Sequence, residues 1–195
     1  MALKKLGALF IMNELSNKIW ITRKSRIYAE KRLLHNEKIS NILIIWFSLF
    51  LVFLSIKSFK VNNYSIDIFL LCASIAILVS SVFLYSQKFS ERAMQIRQCY
   101  IKLDELASRA MRAEENKDIV SIEKIHNEYS DVLLNVENHI DYDYLCFRFS
   151  KRNDAGLEPP FKWQEKVNYY FEVGWRLILE VFLFLLSPLS FYFYG

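Results

Sequence analysis

Two long uncharged runs organise the chain. Ile39 to Ile56, "ISNILIIWFSLFLVFLSI", is eighteen residues without a charge, and Ile68 to Gln87, "IFLLCASIAILVSSVFLYSQ", is twenty. As helices they measure about 27 and 30 Å, against a hydrocarbon layer of about 30 Å. Burying both inside a soluble bundle would take an unusually large core for 195 residues. They are read instead as a transmembrane hairpin.

Beyond the second run the period changes. Apolar residues recur at Phe89, Ala93, Ile96, Tyr100, Leu103, Leu106 and Ala110, spacings of four and three that lay one seam along a helix. The second span is therefore predicted to run on into this helix. "AEENKD" breaks the pattern, and Ile122, Ile125, Tyr129, Val132, Val136 and Ile140 make a second seam. Two such helices joined by a short polar turn are expected to pack antiparallel. Ahead of the first span lies a helical arm with a thin apolar stripe of Trp20, Ile27 and Leu34, beside which Arg23, Arg26 and Glu30 cluster. Glu30 is four residues from Arg26, within reach of pairing. The opening "MALKKLGALFIMNEL" mimics a signal peptide, but its apolar core is short and no small-residue cleavage site follows, so it reads as a retained interfacial segment.

The stretch "SKRNDAGLEPPFKWQEK", with Asn153, Gly156, Pro159 and Pro160, marks a linker. After it, residues 181–195 are fifteen uncharged positions, short for a span. Arg176 and Glu180 are expected to pair across one turn, and Pro188 to interrupt the helix or begin an irregular tail. The aromatic positions 191–194 resemble an interfacial belt, with Trp163 and Trp175 as anchors of the returning helix. This stretch reads as a membrane-associated or partly inserted helix, a full third span being the alternative.

The predicted architecture is an all-α membrane protein: a two-span transmembrane hairpin continuous with a cytosolic helical bundle, plus a C-terminal hydrophobic membrane-associated helix. Its parts are an N-terminal helical arm (1–38), the hairpin (39–87, with spans 39–56 and 68–87 and an outer loop 57–67), a cytosolic αα-hairpin (88–150), a linker (151–163) and the C-terminal helix and tail (164–195).

Composition supports the helical class, since 4 Gly and 3 Pro leave little turn chemistry. Cys72, Cys99 and Cys146 stand far apart without a CxxC pair, which argues against a zinc knuckle or a disulfide framework and fits a reducing interior. Charge adds orientation. Residues 1–38 carry nine Lys and Arg against three acids, a net of +6, whereas 88–195 carry fourteen against seventeen, a net of −3. Lys24, Arg26, Lys31, Arg32 and Lys38 precede the first span, Lys88, Arg92, Arg97 and Lys102 follow the second, and only Lys57 and Lys60 lie between. Cytoplasmic flanks are enriched in such residues, so both ends of the hairpin are placed in the cytoplasm. A basic arm at a membrane also has a plain reading as a contact for anionic headgroups.

"NVENHIDYDY" packs Glu137, His139, Asp141 and Asp143 into seven positions, dense enough to suggest a metal or proton-transfer site. On one helix, however, His139 and Asp143 share a face while Glu137 and Asp141 share another, and no second His completes an HExxH grip. No catalytic, metal or cofactor site is expected from it. The chain also lacks "GxxxxGK[ST]", "GxGxxG" and "GxSxG" patterns. A hydrolase would have to converge on His35, His126, His139 and the nearby carboxylates, so the chain is not read as an enzyme.

The stretch "RKSRIYAEKRL", the hairpin, "YSQKFSERAMQIRQCYIKLDELASR" and "YSDVLLNVENHIDYDY", taken in this order, resemble the SLATT family, the SMODS and SLOG-associating two-transmembrane effectors. The likeness covers residues 15 to 190 and is greatest to the branch encoded beside reverse transcriptases. It implies a multi-pass effector of bacterial antiviral defence in the inner membrane, pore-forming and tied to abortive infection. The trigger would come from a neighbouring reverse transcriptase or nucleotide-signal protein. Direct sequence-specific nucleic-acid binding is not expected. Arg23, Arg26 and Arg32 stand in the matched pre-membrane stretch, and Asn138, His139 and Asp141 match an Asn-His pair followed by Asp. These six residues are taken as coupling candidates, with Arg23 or Arg26 expected to meet the acids.

A pore would need polar lining. Asn41, Ser48 and Ser55 repeat at seven in the first span, as do Asp67, Ser74, Ser81 and Lys88 along the second and its flanks, giving each span one narrow polar stripe. Asn41, Ser48, Ser55, Ser74 and Ser81 are the lining candidates. Trp46, Phe47, Phe50 and Phe53 are expected to face lipid or other subunits. The same serines, with Ala73, Ala76 and Ser80, equally suit close helix packing. Two spans cannot enclose water, so a pore requires a homo-oligomer. A membrane scaffold or regulatory subunit anchoring a cytosolic enzyme is the alternative.

Overall fold

A computed structural model of the chain describes residues 15–58, 64–134, 136–153 and 160–194, including their side chains except at 65 and 187–194. Residues 1–14 of the expected interfacial segment, 59–63 of the outer loop and 154–159 of the linker lie outside the described residues. Every regular element described is a helix: α1 (Leu15–Ser58), α2 (Tyr64–Ser86), α3 (Phe89–Glu115), α4 (Ile119–Leu134), α5 (Asp141–Ser150) and α6 (Trp163–Tyr194). The all-α class and the pair of long apolar helices are as expected. The chain divides into two compact units, Met1–Leu33 with Glu91–Tyr169, and Leu34–Ser90 with Tyr170–Gly195.

In the first unit, Leu15 and Ile19 of α1 pack with Cys99, Leu103, Leu106, Ala110 and Ala113 of α3 and with Ile122, Ile125 and Tyr129 of α4. The seams of α3 and α4 thus point inward, with Cys99 rather than Tyr100 on the buried line. The arm departs further from its expected stripe. Leu15, Ile19, Arg26, Ala29, Glu30 and Leu33 are buried, whereas Leu34 is exposed and Trp20 and Ile27 are half-buried. A stripe of large apolar residues misleads here because the inner face of α1 is made of small residues, Ser25 and Ala29, and of charges that find partners inside the unit.

The helix ends have local causes. Lys117 adopts φ 54° after α3, and the Asp118 N–H bonds the Ala113 carbonyl at 3.0 Å, a left-handed cap that closes the helix. Asp118 then starts α4, its carboxylate accepting the Ser121 N–H at 3.2 Å and the Ser121 hydroxyl at 2.6 Å. The expected continuous second seam stops at Leu134, so Glu137 to Ile140 form a non-helical connection and Ile140 is exposed. α5 begins afresh at Asp141, with the Asp143 carboxylate accepting the Ile140 N–H at 3.0 Å. Trp20 meets Phe147 of α5 edge-on at 5.4 Å, and Phe149 stacks on Tyr169 at 3.7 Å.

The second unit holds the apolar parts of α1 and α2, each long enough to cross a membrane, with Leu54 the one buried residue of residues 39–56 and 68–87. Ser58 donates to Asp67 at 2.8 Å where the spans turn. α2 does not run on into α3. Gln87 turns, and Lys88 sits at φ 51° with its N–H on the Tyr85 carbonyl at 3.2 Å, a break that the apolar period alone did not signal. α6, by contrast, passes through Pro188 to Tyr194 without interruption. Its expected Arg176–Glu180 pair is replaced by Arg176–Glu172 at 3.7 Å and by His35–Glu180 at 2.9 Å.

Leu103 is fully buried in the first unit's core. Leu103→Ala is expected to lower stability by about 2–5 kcal/mol in denaturant titrations of the detergent-solubilised protein.

Candidate functional site

The polar groups that α1 carries into the first unit form a row. Arg23 pairs with Asp104 at 3.0 Å near the surface. Three residues on, Arg26 is buried, and its Nη1 donates to the Cys99 sulfur at 2.9 Å while its Nε has no partner. Burial pushes the Cys99 thiol up, against the pull of Arg26, so it remains a thiol at neutral pH. Glu30, one turn further, accepts from Arg97 Nε at 2.7 Å. The expected Arg26–Glu30 pair is absent because each meets α3 instead.

Arg32 reaches the most deeply buried carboxylate of the row. Its Nε lies 2.9 Å from Asp143 Oδ1 and its Nη2 3.2 Å from Oδ2, a forked pair in which the Asp143 side chain is 0% exposed. The Ile140 N–H is the third donor to the same carboxylate. Beside it Arg92 grips Glu137 through Nε and Nη2, both at 2.6 Å. Those hydrogen bonds hold the Glu137 carboxyl below the usual range, with the Arg92 and Arg32 charges adding to the effect. His139, between the two acids in the chain, is half-buried, with Nδ1 lacking a protein partner. Desolvation, and then the Arg26 cation, hold its pKa below the ordinary histidine value, while Asp143 and Asp141 pull the other way. Asn138 accepts the His139 N–H on its side-chain oxygen at 3.0 Å, and Asp141 opens α5 at the surface.

Of the coupling candidates, Arg32 binds a carboxylate near this connection and His139 lies close enough to feel its charge, but that carboxylate is Asp143. Arg23 and Arg26 do not meet the acids of 137–143. Asp143 escaped selection because reading 122–140 as one helix hid the start of α5, where an acid three residues in has a backbone N–H to accept. Arg148 escaped as well. It is almost fully buried and forks onto Glu165 at 2.6 and 3.0 Å, with the Pro160 carbonyl at 3.2 Å. That grip holds the Glu165 carboxyl below the usual range. Among the described residues no three His, Cys, Asp or Glu converge as metal ligands.

In the second unit the candidate serines satisfy themselves. Ser48, Ser55, Ser74 and Ser81 donate to the carbonyls of Ile44, Val52, Leu71 and Leu78 at 2.7 to 2.9 Å. Such bonds hide the hydroxyl proton from lipid and leave only oxygen lone pairs facing out. Asn41 is exposed near the start of the first span. The indole of Trp46, expected to face outward, turns its N–H to the Phe184 carbonyl at 3.2 Å.

Residues 11–194 match the sequence model of the SMODS and SLOG-associating 2TM effector domain family 5, and the chain belongs to that family. No curated protein and no solved structure matches it. It is accordingly a membrane protein with a two-transmembrane effector domain, and the family name associates it with SMODS and SLOG partner domains.

Asp143→Ala leaves Arg32 facing a buried void and is expected to cost roughly 3–5 kcal/mol, against under about 1 kcal/mol for Asp104→Ala at the exposed pair, in thermal or denaturant unfolding. The pH dependence has two stages. His139 resists protonation when folded, so the unfolded chain takes up its proton first and stability falls as pH drops below the ordinary histidine value, about 6.5. Glu137 and Glu165 have lowered pKa values, so their contribution is present above the ordinary carboxylate range and is lost as pH falls through it. His139→Gln is expected to flatten the first stage and leave the second, as read from unfolding midpoints between pH 8 and 3.

Proposed function

We propose, from its membership of that family, that the chain is a membrane effector of a bacterial anti-phage conflict system. It sits in the inner membrane with its N-terminus and first unit in the cytoplasm, assembles with copies of itself, and opens a pore when a partner signals infection. It performs no catalysis of its own. The partner is a SMODS- or SLOG-type nucleotide-signal protein or a reverse transcriptase encoded nearby.

The observation that carries this reading is the continuity of α1, one helix from Leu15 to Ser58. Its first part carries Arg23, Arg26, Glu30 and Arg32, and its last part is an uncharged span. A partner that disturbs the Arg32–Asp143 pair acts on the helix that goes on to form the first span. The spans support a closed resting state. No charge lies in either run, the hydroxyls of Ser48, Ser55, Ser74 and Ser81 are satisfied within their own helices, and a pore so lined is dry until it widens. Opening ends the infected cell's ability to hold ion gradients, which is the logic of abortive infection.

A scaffold that recruits a cytosolic enzyme would carry the same two units, and only permeability separates the readings. Phage-challenged cells carrying the chain with its neighbouring genes are expected to admit propidium before lysis and to lose membrane potential. Cells that are protected while remaining sealed and polarised would replace the pore with the scaffold.

A further inference from the structure

α5 is short and anchored on two sides. Its ten residues fall below the roughly 12–15 at which an isolated helix approaches stability in water, so contacts must hold it in place. Its buried side chains are Asp143, Phe147 and Arg148. At about 100° per residue Asp143 and Phe147 share one side of the helix, whereas Arg148 and Phe149 lie about 140° and 240° round from Asp143, on the other. The contacts divide in the same way. Asp143 takes the fork of Arg32, and Phe147 meets Trp20 edge-on with ring centres 5.4 Å apart, both on α1. Arg148 forks onto Glu165 at 2.6 and 3.0 Å, and Phe149 stacks on Tyr169 at 3.7 Å, both on α6. Glu165 also accepts the Lys162 N–H at 2.8 Å, which ties the same carboxylate to the first turn of α6.

Asp143 and Arg148 carry opposite charges, with side chains 0% and 3% exposed. Five residues apart on one helix they point away from each other, so each is neutralised by a different helix and not by its neighbour. Losing either partner strands a buried charge on α5, which so short a helix relieves by leaving its place. The two partner helices have a further property in common. α1 passes from the first unit into the second between Leu33 and Leu34, and α6 does so between Tyr169 and Tyr170, each without a break in the helix. We infer that α5 is a clasp linking α1 and α6, so that release of either helix from α5 loosens the hold on the other. The clasp gives one cytosolic signal access to two helices of the second unit. That use rests on the effector reading above, whereas the linkage itself does not.

Hydrogen exchange resolved by mass spectrometry tests the linkage on the full chain in liposomes. Glu165→Gln removes the anchor on α6. It is expected to speed exchange at least about tenfold in α5 and in residues 23–33 of α1, while the α3–α4 turn at 112–122 keeps its parent rate. Asp143→Asn weakens the anchor on α1 and is expected to speed exchange at 163–169 in the same way. Should a stranded charge prevent folding, Tyr169→Leu removes the ring stack without stranding one and is expected to give the Glu165→Gln pattern at smaller amplitude. A rise confined to α6 for Glu165→Gln and Tyr169→Leu, or to α1 and α5 for Asp143→Asn, overturns the clasp. So does a rise shared equally by the α3–α4 turn, which marks general loosening. Permeability is not read in this experiment, so sealed membranes in the infected-cell test would remove the pore and leave this result as it stands.

Discussion

The Arg32–Asp143 pair places a strict geometric constraint on the first unit. A carboxylate removed wholly from water is tolerable only if its lone pairs are met, and Asp143 is met by both prongs of Arg32 and by the Ile140 N–H. Each donor comes from a different part of the chain's path. Arg32 fixes the rotation of α1, Ile140 fixes the point at which α5 begins, and the connection between them must place His139 and Glu137 as it does. Exchanging such a pair for apolar residues can be neutral in energy, so its worth here lies in register: a guanidinium fork on a single carboxylate admits one rotation of α1 where an apolar face would admit several. The proposed effector role uses that property, since a helix held in one rotation can be released into another.

The membrane unit follows the opposite rule. Its spans carry no charge, and Ser48, Ser55, Ser74 and Ser81 bond back to carbonyls of their own helices, so these hydroxyls need no partner in lipid. Specific contacts appear instead at the edges and between α1 and α6. Ser58 meets Asp67 where the spans turn, Ser90 meets both oxygens of Glu37, and the Trp46 indole meets the Phe184 carbonyl. Spans built this way insert quietly and remain free to move against each other, as an effector held in reserve requires.

Much of the fold was legible because period and length are strong signals. The two spans stand out as uncharged runs of the right length, and the seams of α3 and α4 follow three- and four-residue spacing through Leu103, Leu106, Ile122 and Ile125. The breaks were not legible. Lys88 at positive φ and the restart at Asp141 interrupt helices whose apolar period continues across them, and neither position carries Gly or Pro to announce the interruption. The inner face of α1 was hidden for a different reason: Arg26, Glu30 and Ser25 look like surface residues until partners on α3 are known. The site inherited both errors. Arg32 and His139 could be singled out, but the acid that joins them could be identified only once α5 was seen to begin at Asp141. Conversely, Pro188 reads in the sequence as a helix breaker, whereas α6 continues through it to Tyr194.

The central claim is that the Arg32–Asp143 pair keeps the spans closed, and conductance measures it most directly. Purified wild-type chain, Asp143→Arg, and the double variant Arg32→Asp with Asp143→Arg would be reconstituted into planar bilayers in equal, verified amounts. The expected result is silence from the wild type, conducting events from the single variant, and silence again once the reversed pair is restored. A single variant that inserts, retains its helicity and never conducts would contradict the account.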